Sequence, residues 1–392
     1  MVICENVRRK IIPVASGKGG VGKSVIAANM SLALAQSGKS TVAIDLDLGG
    51  SNLHTLLGIK NTQAGIGNFL SSGSLKLQDI VQCTPYENLR FVSGDVLVSG
   101  IADIQVSQRR RLVEGILALD ADYVIIDLGS GCSTTVLDLF LISNSGFVVT
   151  TGQTVAVLNA YGFLKNLVFR FLQRAFASSK EVSSYLKKAV KERAPDSAPG
   201  CAGVIQGIQA IDRDLGEKAR MFISVLKPKL VVNMVRSPED LAIIEKLRDM
   251  IQKNLMLEVE CMGIVCADPL VDKSLAEYVP LMAYSGDSLV AKEIERIAAR
   301  IVQSDRFPEM PLDFSSYKDT FELAQIEAQF DFDEKNTQHQ EEGVTAVKKD
   351  TADGAVANLI AVITEQKREI SSLRNTVRML TMKDGQPQVP GS

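Results

Sequence analysis

Apolar residues in this 392-residue chain follow two rhythms. Short continuous runs at 11–15 (IIPVA), 41–45 (TVAID), 88–91 (NLRF), 123–127 (YVIID), 146–151 (GFVVTT), 229–234 (KLVVNM) and 262–265 (MGIV) are mostly rich in valine and isoleucine. A run that is apolar at nearly every position suits a strand covered on both faces, as in a parallel sheet between two layers of helices. Between the runs lie stretches of helical periodicity, such as SVIAANMSLALAQSG from Ser24 and SQRRRLVEGILAL from Ser107. The alternation predicts repeated βα units and a doubly wound, mostly parallel α/β sheet.

From about Phe163 to Leu226 the helical rhythm continues without a strand run, interrupted by APDSAPG, which predicts a helical insertion between two sheet strands. Beyond Ile301 the pattern changes. Residues 313–342 hold nine acidic residues against Lys318 and Lys335 and little sustained apolar pattern, the composition of a flexible acidic linker. Val356, Leu359, Ile363, Gln366, Ile370, Leu373, Val377 and Leu380 then alternate spacings of three and four. A strict seven-residue repeat marks a coiled-coil seam, with Gln366 as a polar layer able to set register or partner number. Lys367, Arg368, Arg374 and Arg378 also suit a helix lying on a membrane surface. The apolar face carries no Trp or Phe, and Glu365 and Glu369 dilute the charge, which favours the coiled coil. The expected organisation is an α/β domain over 1–304, a linker over 305–353, an amphipathic heptad helix over 354–382 that meets a protein partner, and a disordered tail over 383–392.

Composition narrows the function classes. Six cysteines without a Cys-x-x-Cys pair, and a start (MVICENVRRK) lacking an apolar signal core, predict a reduced, cytoplasmic protein. Gly, Asp or Lys breaks every long hydrophobic stretch before the roughly 18 residues of a membrane span, so a soluble chain is expected, at most a transient visitor to the inner membrane face. The formal charge of −3 does not support DNA binding. Arg109, Arg110 and Arg111 could still form a local basic face, although a solvated helix start is the simpler expectation.

The chemistry concentrates in SGKGGVGKS at 16–24. Gly17 to Ser24 fits G-x-x-x-x-G-K-S, directly after a predicted strand and opening a predicted helix, the context in which this pattern signals a phosphate-binding loop. Gly17, Gly19, Gly20 and Gly22 allow a close backbone approach, so that successive N–H groups, with those of Val21 and Val25, surround phosphates. The helix beginning near Lys23 adds the positive end of its dipole. Lys23 is expected along the β- and γ-phosphates of ATP, and the Ser24 hydroxyl on Mg²⁺. Asp127, closing the strand YVIID, is the second candidate for the metal. In AIDLDLGGSNLH, Asp45 and Asp47 share one strand face, and which of them reaches the phosphates depends on where the chain turns. Asp47, nearer the turn allowed by Gly49 and Gly50, is the candidate for orienting the attacking water or joining the metal shell. His54 and His339 are too few and too isolated for a metal site of their own.

The loop contains one lysine more than phosphate binding needs. KGGVGKS at 18–24 resembles the deviant Walker A box of the MinD/ParA ATPases, and with DLDLGGSNL at 45–53 it resembles the MinD/FlhG branch most. The likeness runs from about 10 to 304 and includes Asp127, VVNM at 231–234 and GIVCAD at 263–268 with Pro280 and Leu281 beyond. The resemblance implies a SIMIBI-type P-loop NTPase fold, a homodimer in the ATP state, Lys18 acting on the phosphates of the other subunit, Lys23 acting in cis, Asp47 positioning the lytic water, Ser24 and Asp127 serving Mg²⁺, and Asn233 contacting adenine. It implies a slow, partner-stimulated ATPase switch that positions a division site, flagella or other cargo. Two turns depart from the family. A Pro-Ala-Gly type turn commonly follows the Walker B acid, where this chain has Leu128, Gly129, Ser130 and Gly131; and Gly152 and Gln153 replace the usual Pro-Glu after the next strand. A nucleotide-binding scaffold with little turnover is therefore an alternative. An iron–sulfur protein is a weaker one: Cys132, five residues beyond Asp127, suggests it, but Cys83 and the pair Cys261 and Cys266 do not reproduce the spacing of the family's cluster scaffolds.

Overall fold

The seven continuous apolar runs are all strands of one sheet. The computed structural model describes residues 9–48, 50–60, 63–94, 104–191, 200–236 and 238–303. Its strands are β1 (Lys10–Ser16), β2 (Thr41–Leu46), β3 (Gln82–Cys83), β4 (Leu89–Val92), β5 (Tyr123–Ser130), β6 (Phe147–Thr151), β7 (Lys229–Val235) and β8 (Glu260–Cys266). They lie in the order β3-β4-β2-β5-β1-β6-β7-β8. Every neighbouring pair is parallel except β3 with β4, where Gln82 faces Phe91 and Cys83 faces Arg90. The two-residue edge strand β3 has no apolar run of its own and exists only because β4 offers it a partner. The acidic linker, the heptad helix and the terminal tail lie outside the described residues.

Burial follows the pleat. On β5, Tyr123 and Ile125 join Ile12 and Val14 of β1 in a core built on the helix Lys23–Gln36, with Ile26, Met30 and Leu34 fully covered. The helix Leu289–Gln303 closes this layer through Ile294, Ile297 and Ile301. Lys10 ties it down, donating its ammonium to the Ile301 carbonyl at 3.0 Å while standing over the Tyr123 ring. Val124 and Ile126, equally buried, point away from that core, and the helices Thr134–Phe140 and Thr154–Ala175 pack on β1, β5 and β6. Phe140 and Phe163 meet edge to face there, with centroids 5.2 Å apart.

Between β6 and β7 the described residues form the helices Thr154–Ala175, Lys180–Lys191, Cys201–Ile211 and Arg213–Val225. The first begins upstream of Phe163 and is one continuous 22-residue helix. By length and composition it could cross a membrane, which the sequence reading did not anticipate. Its apolar stripe, Phe163, Leu164, Leu167, Val168 and Phe171, is instead buried in this fold.

The arginine triplet behaves as neither expectation had it. Arg109 is buried and pairs with Asp138, Arg110 forms an exposed i,i+4 pair with Glu114 at 2.8 Å, and Arg111 lies over the Phe69 ring while donating to the Phe69 carbonyl at 2.9 Å. The helix places successive residues about 100° apart, so three adjacent charges take three directions.

Candidate functional site

The site forms where β1, β5, β2 and β7 end together at the carboxyl edge of the sheet, where open α/β folds bind ligands. β1 stops at Ser16, and the helix starts at Lys23. The intervening loop is held by its own polar groups. Ser16 Oγ donates to the Lys18 carbonyl at 2.9 Å, and Asn233 Nδ2, at the end of β7, donates to the Val21 carbonyl at 2.9 Å. Gly22 caps the helix with φ of 81°, and a Cβ there would lie 2.2 Å from Asn233 Nδ2. A Cβ on Gly17 would lie 2.0 Å from the Asn159 carbonyl oxygen, so the long helix Thr154–Ala175 touches bare backbone. Ser24 and Val25, half-buried, begin the helix behind the loop.

Lys23 is buried, and its ammonium collects the acids. It donates to Asp127 Oδ1 at 2.6 Å, to Ser24 Oγ at 3.2 Å and to Asp47 Oδ2 at 3.4 Å. Parallel pairing aligns Asp45 with Asp127 on adjacent strands, which brings two aspartates side by side. Burial pushes the Asp127 carboxyl up to about 6; the Lys23 charge opposes that shift and Asp45 adds to it. Asp127 Oδ2 is buried with no hydrogen-bond partner among the described residues. A desolvated carboxylate with one oxygen unsatisfied, beside a serine hydroxyl and a half-buried second acid, fits a hard divalent cation such as Mg²⁺. Ser24, Asp127 and Asp47 all lie within 3.4 Å of the Lys23 ammonium.

The structure separates the two acids that the sequence left open. Asp45 is fully buried and works on its own loop: Oδ2 accepts from Ser51 Oγ at 2.6 Å and from the Leu53 amide at 2.9 Å, and Oδ1 accepts from the Asp47 amide at 3.1 Å. Burial raises its carboxyl despite these bonds. Asp47, with its side chain 27% exposed, is the one presented to Lys23 and the open edge.

Lys18, Gly19 and Gly20 are exposed on the outer side of the loop. There Lys18 lines a cleft of about 300 Å³ with Gly19, Val21, Gln153, Met234 and Arg236. Among the described residues its ammonium has no ion-pair or hydrogen-bond partner. Neither Met234, near the end of β7, nor Arg236, directly beyond it, was marked as a site residue from the sequence; their signal is position at a parallel strand end on the binding side of the sheet. Asn233 is buried, and its amide nitrogen is committed to the loop. The cysteines do not assemble: Cys132 follows β5, whereas Cys261 and Cys266 lie on the edge strand β8. Among the described residues no group of three His, Cys, Asp or Glu residues could hold a metal by itself.

Comparison with known proteins agrees with this geometry. Residues 12–281 match the family described as the CobQ/CobB/MinD/ParA nucleotide binding domain. The flagellum site-determining protein YlxH of Helicobacter pylori is 33% identical over 159 residues, 40% of this chain and 53% of that protein. The antiactivator FleN of Pseudomonas aeruginosa is 27% identical over 226 residues, 54% of this chain and 79% of its own length. The septum site-determining protein MinD of Pyrococcus horikoshii, solved with Mg-ADP, superposes with a TM-score of 0.52 at 21% identity, covering 75% of this chain and 96% of that one. The chain thus spans about half the length of the YlxH protein it matches, and the solved neighbour shares its fold.

Proposed function

Since this chain belongs to the CobQ/CobB/MinD/ParA nucleotide-binding family, we propose that it is a Mg²⁺-dependent ATPase whose ATP-bound form dimerises, binds a partner or surface, and lets go on hydrolysis. The observation that carries the reading is the division of labour between two lysines of one loop. Lys23 is buried among Asp127, Asp47 and Ser24, while Lys18 stands exposed at the cleft with no partner among the described residues. A cation left outside its own chain's acid cluster is available to the phosphates of a facing copy.

When ATP binds, Lys23 exchanges its carboxylate neighbours for the β- and γ-phosphates, and the loop amides from Gly17 to Val25 surround them. Ser24 and Asp127 would hold Mg²⁺, with Asp47 in its shell or on the water, and the bound ion would supply Lewis-acid neutralisation of phosphate charge. Asn233 donates through Nδ2 to Val21, which leaves its Oδ1 as an acceptor suited to the exocyclic amine of adenine. Lys18 from the facing copy stabilises charge that develops on the transferring phosphoryl group, and it does so only in the dimer. Hydrolysis removes the group that both lysines hold, so the dimer parts. The names of flagellum and septum site-determining relatives support spatial control of flagella or of a division site; another cargo, and action from the cytoplasm with transient contact at the inner membrane face, belong to the same proposal. The heptad helix at 354–382 is the proposed protein-partner element.

The test is light scattering of the full chain with Mg·ATP and with Mg·ADP, alongside phosphate release, for the wild type and Lys18→Ala. ATP-specific dimers in the wild type, and nucleotide binding without dimers or turnover in Lys18→Ala, are expected. Wild-type dimers with no phosphate release under any stimulation would support the scaffold alternative instead. Retention of both dimers and turnover in Lys18→Ala would remove the trans role.

A further inference from the structure

Resting on that reading of the phosphate site, we infer that the Ser130 hydroxyl is an additional ligand of the terminal phosphate, one that lets this chain distinguish ATP from ADP before hydrolysis. β5 does not end at the metal-binding acid. It continues through Leu128 and Gly129 to Ser130, which pairs with Ser16, the last residue before the loop. The next residue, Gly131, donates its amide to the Ser16 carbonyl at 2.9 Å. The backbone that carries Ser130 is thereby tied to the root of the phosphate loop.

The side chain is aimed at that loop. Ser130 Oγ lies 3.6 Å from where a Cβ of Gly19 would stand, so the hydroxyl hangs over the open glycine backbone of the phosphate cradle. Asp47 approaches from the other side, its Oδ1 3.4 Å from the corresponding position on Gly129. The short stretch 129–130 therefore bridges the acid proposed to orient water and the glycines proposed to hold phosphate. Ser130 is exposed, and its hydroxyl makes no hydrogen bond within the described residues. An O–H carried on backbone tied to the loop root, with no partner among the described residues and beside a loop built for anions, is a ready donor to a phosphate oxygen. Where the family's common turn is Pro-Ala-Gly, the residue before the glycine is an alanine and offers only a methyl group. Ser130 stands at that place, before Gly131, and supplies the donor.

The position also limits what the hydroxyl can sense. It belongs to the strand end that carries Asp127 and lies beside Asp47, the γ-phosphate side of the site on the reading above. ADP should leave it in water. The contact should then appear in the ratio of ATP to ADP affinity and in the chemical step, with ADP affinity untouched.

The experiment measures calorimetric affinities of the full chain for Mg·ADP and Mg·ATPγS, together with single-turnover hydrolysis of Mg·ATP, in the wild type, Ser130→Ala and Ser130→Thr. Loss of one hydrogen bond to a charged oxygen should weaken Mg·ATPγS by about tenfold in Ser130→Ala. Mg·ADP affinity should stay the same and single-turnover hydrolysis should slow, while Ser130→Thr, which keeps the hydroxyl, should behave as wild type. A triphosphate-to-diphosphate ratio in Ser130→Ala within twofold of wild type overturns the inference and leaves the ATPase reading standing. A wild-type chain that binds neither nucleotide overturns both. Equal weakening of both nucleotides in Ser130→Ala also overturns the inference, because a distorted loop rather than a missing donor would be its cause.

Discussion

Asp138 is a buried acid that pairs with three arginines, and replacing it by asparagine should expose what those pairs contribute. Its carboxylate is fully buried on the helix Thr134–Phe140 and meets three guanidiniums. Arg170 takes both oxygens, Nε to Oδ1 and Nη2 to Oδ2, each at 2.8 Å; Arg109 also donates to Oδ2, and Arg174 Nη1 lies 3.5 Å from Oδ1. Burial alone would raise the Asp138 carboxyl, but the Arg170 hydrogen bonds and the charges of Arg170, Arg174 and Arg109 prevail and hold it below the usual carboxylate range. Asp138→Asn keeps the shape and removes the charge on which those arginines converge. Removing one partner of a buried pair costs about 3–5 kcal/mol. The exposed pair Arg110–Glu114 provides the control, since Glu114→Gln should cost only about 0.3–0.5 kcal/mol. Urea unfolding followed by far-ultraviolet circular dichroism compares the two, read from the midpoint at constant slope. A depressed folded-state pKa contributes stability that is complete above the unfolded value of about 3.9 and disappears as pH falls through the lower folded value. The gap between wild type and Asp138→Asn should therefore be flat from pH 5 to 8 and close only below about pH 4. A loss under about 1 kcal/mol at pH 7, or a gap that already narrows at pH 6, would refute the reasoning.

Two further outcomes follow. Gly22→Ala combines a left-handed backbone, costing an alanine about 1–2 kcal/mol, with a methyl group driven into Asn233, so the bond to Val21 must break; nucleotide affinity should fall at least tenfold, and equilibrium titration with Mg·ADP measures it. Truncation after Asp353 should leave Mg·ATP affinity unchanged while lowering basal self-association in sedimentation or removing a captured partner, whereas loss of liposome binding alone would favour the membrane-surface helix.

Much of the fold was legible because its signals are local. A strand covered on both faces must be apolar along its whole length, and a helix bound to it must repeat near 3.6 residues, so β1, β2, β4 to β8 and the P-loop helix could be read from spacing. The phosphate loop was legible for the same reason, since glycine, lysine and serine act there through backbone geometry within nine consecutive residues. The family resemblance added roles that no spacing contains, above all that of Lys18. Contacts between distant segments had to come from the structure. Asp45 and Asp47 differ in sequence by only two positions, and the turn toward Ser51 and Leu53 decides that the first is buried to hold the loop while the second faces Lys23. Asn233 reaches Val21 across more than two hundred residues, and Arg109 leaves its basic neighbours for an aspartate on another helix. Local patterns state what each segment wants to bury or expose; only the packed sheet determines which unsatisfied charge finds which partner, because that depends on distances the chain sets when it closes.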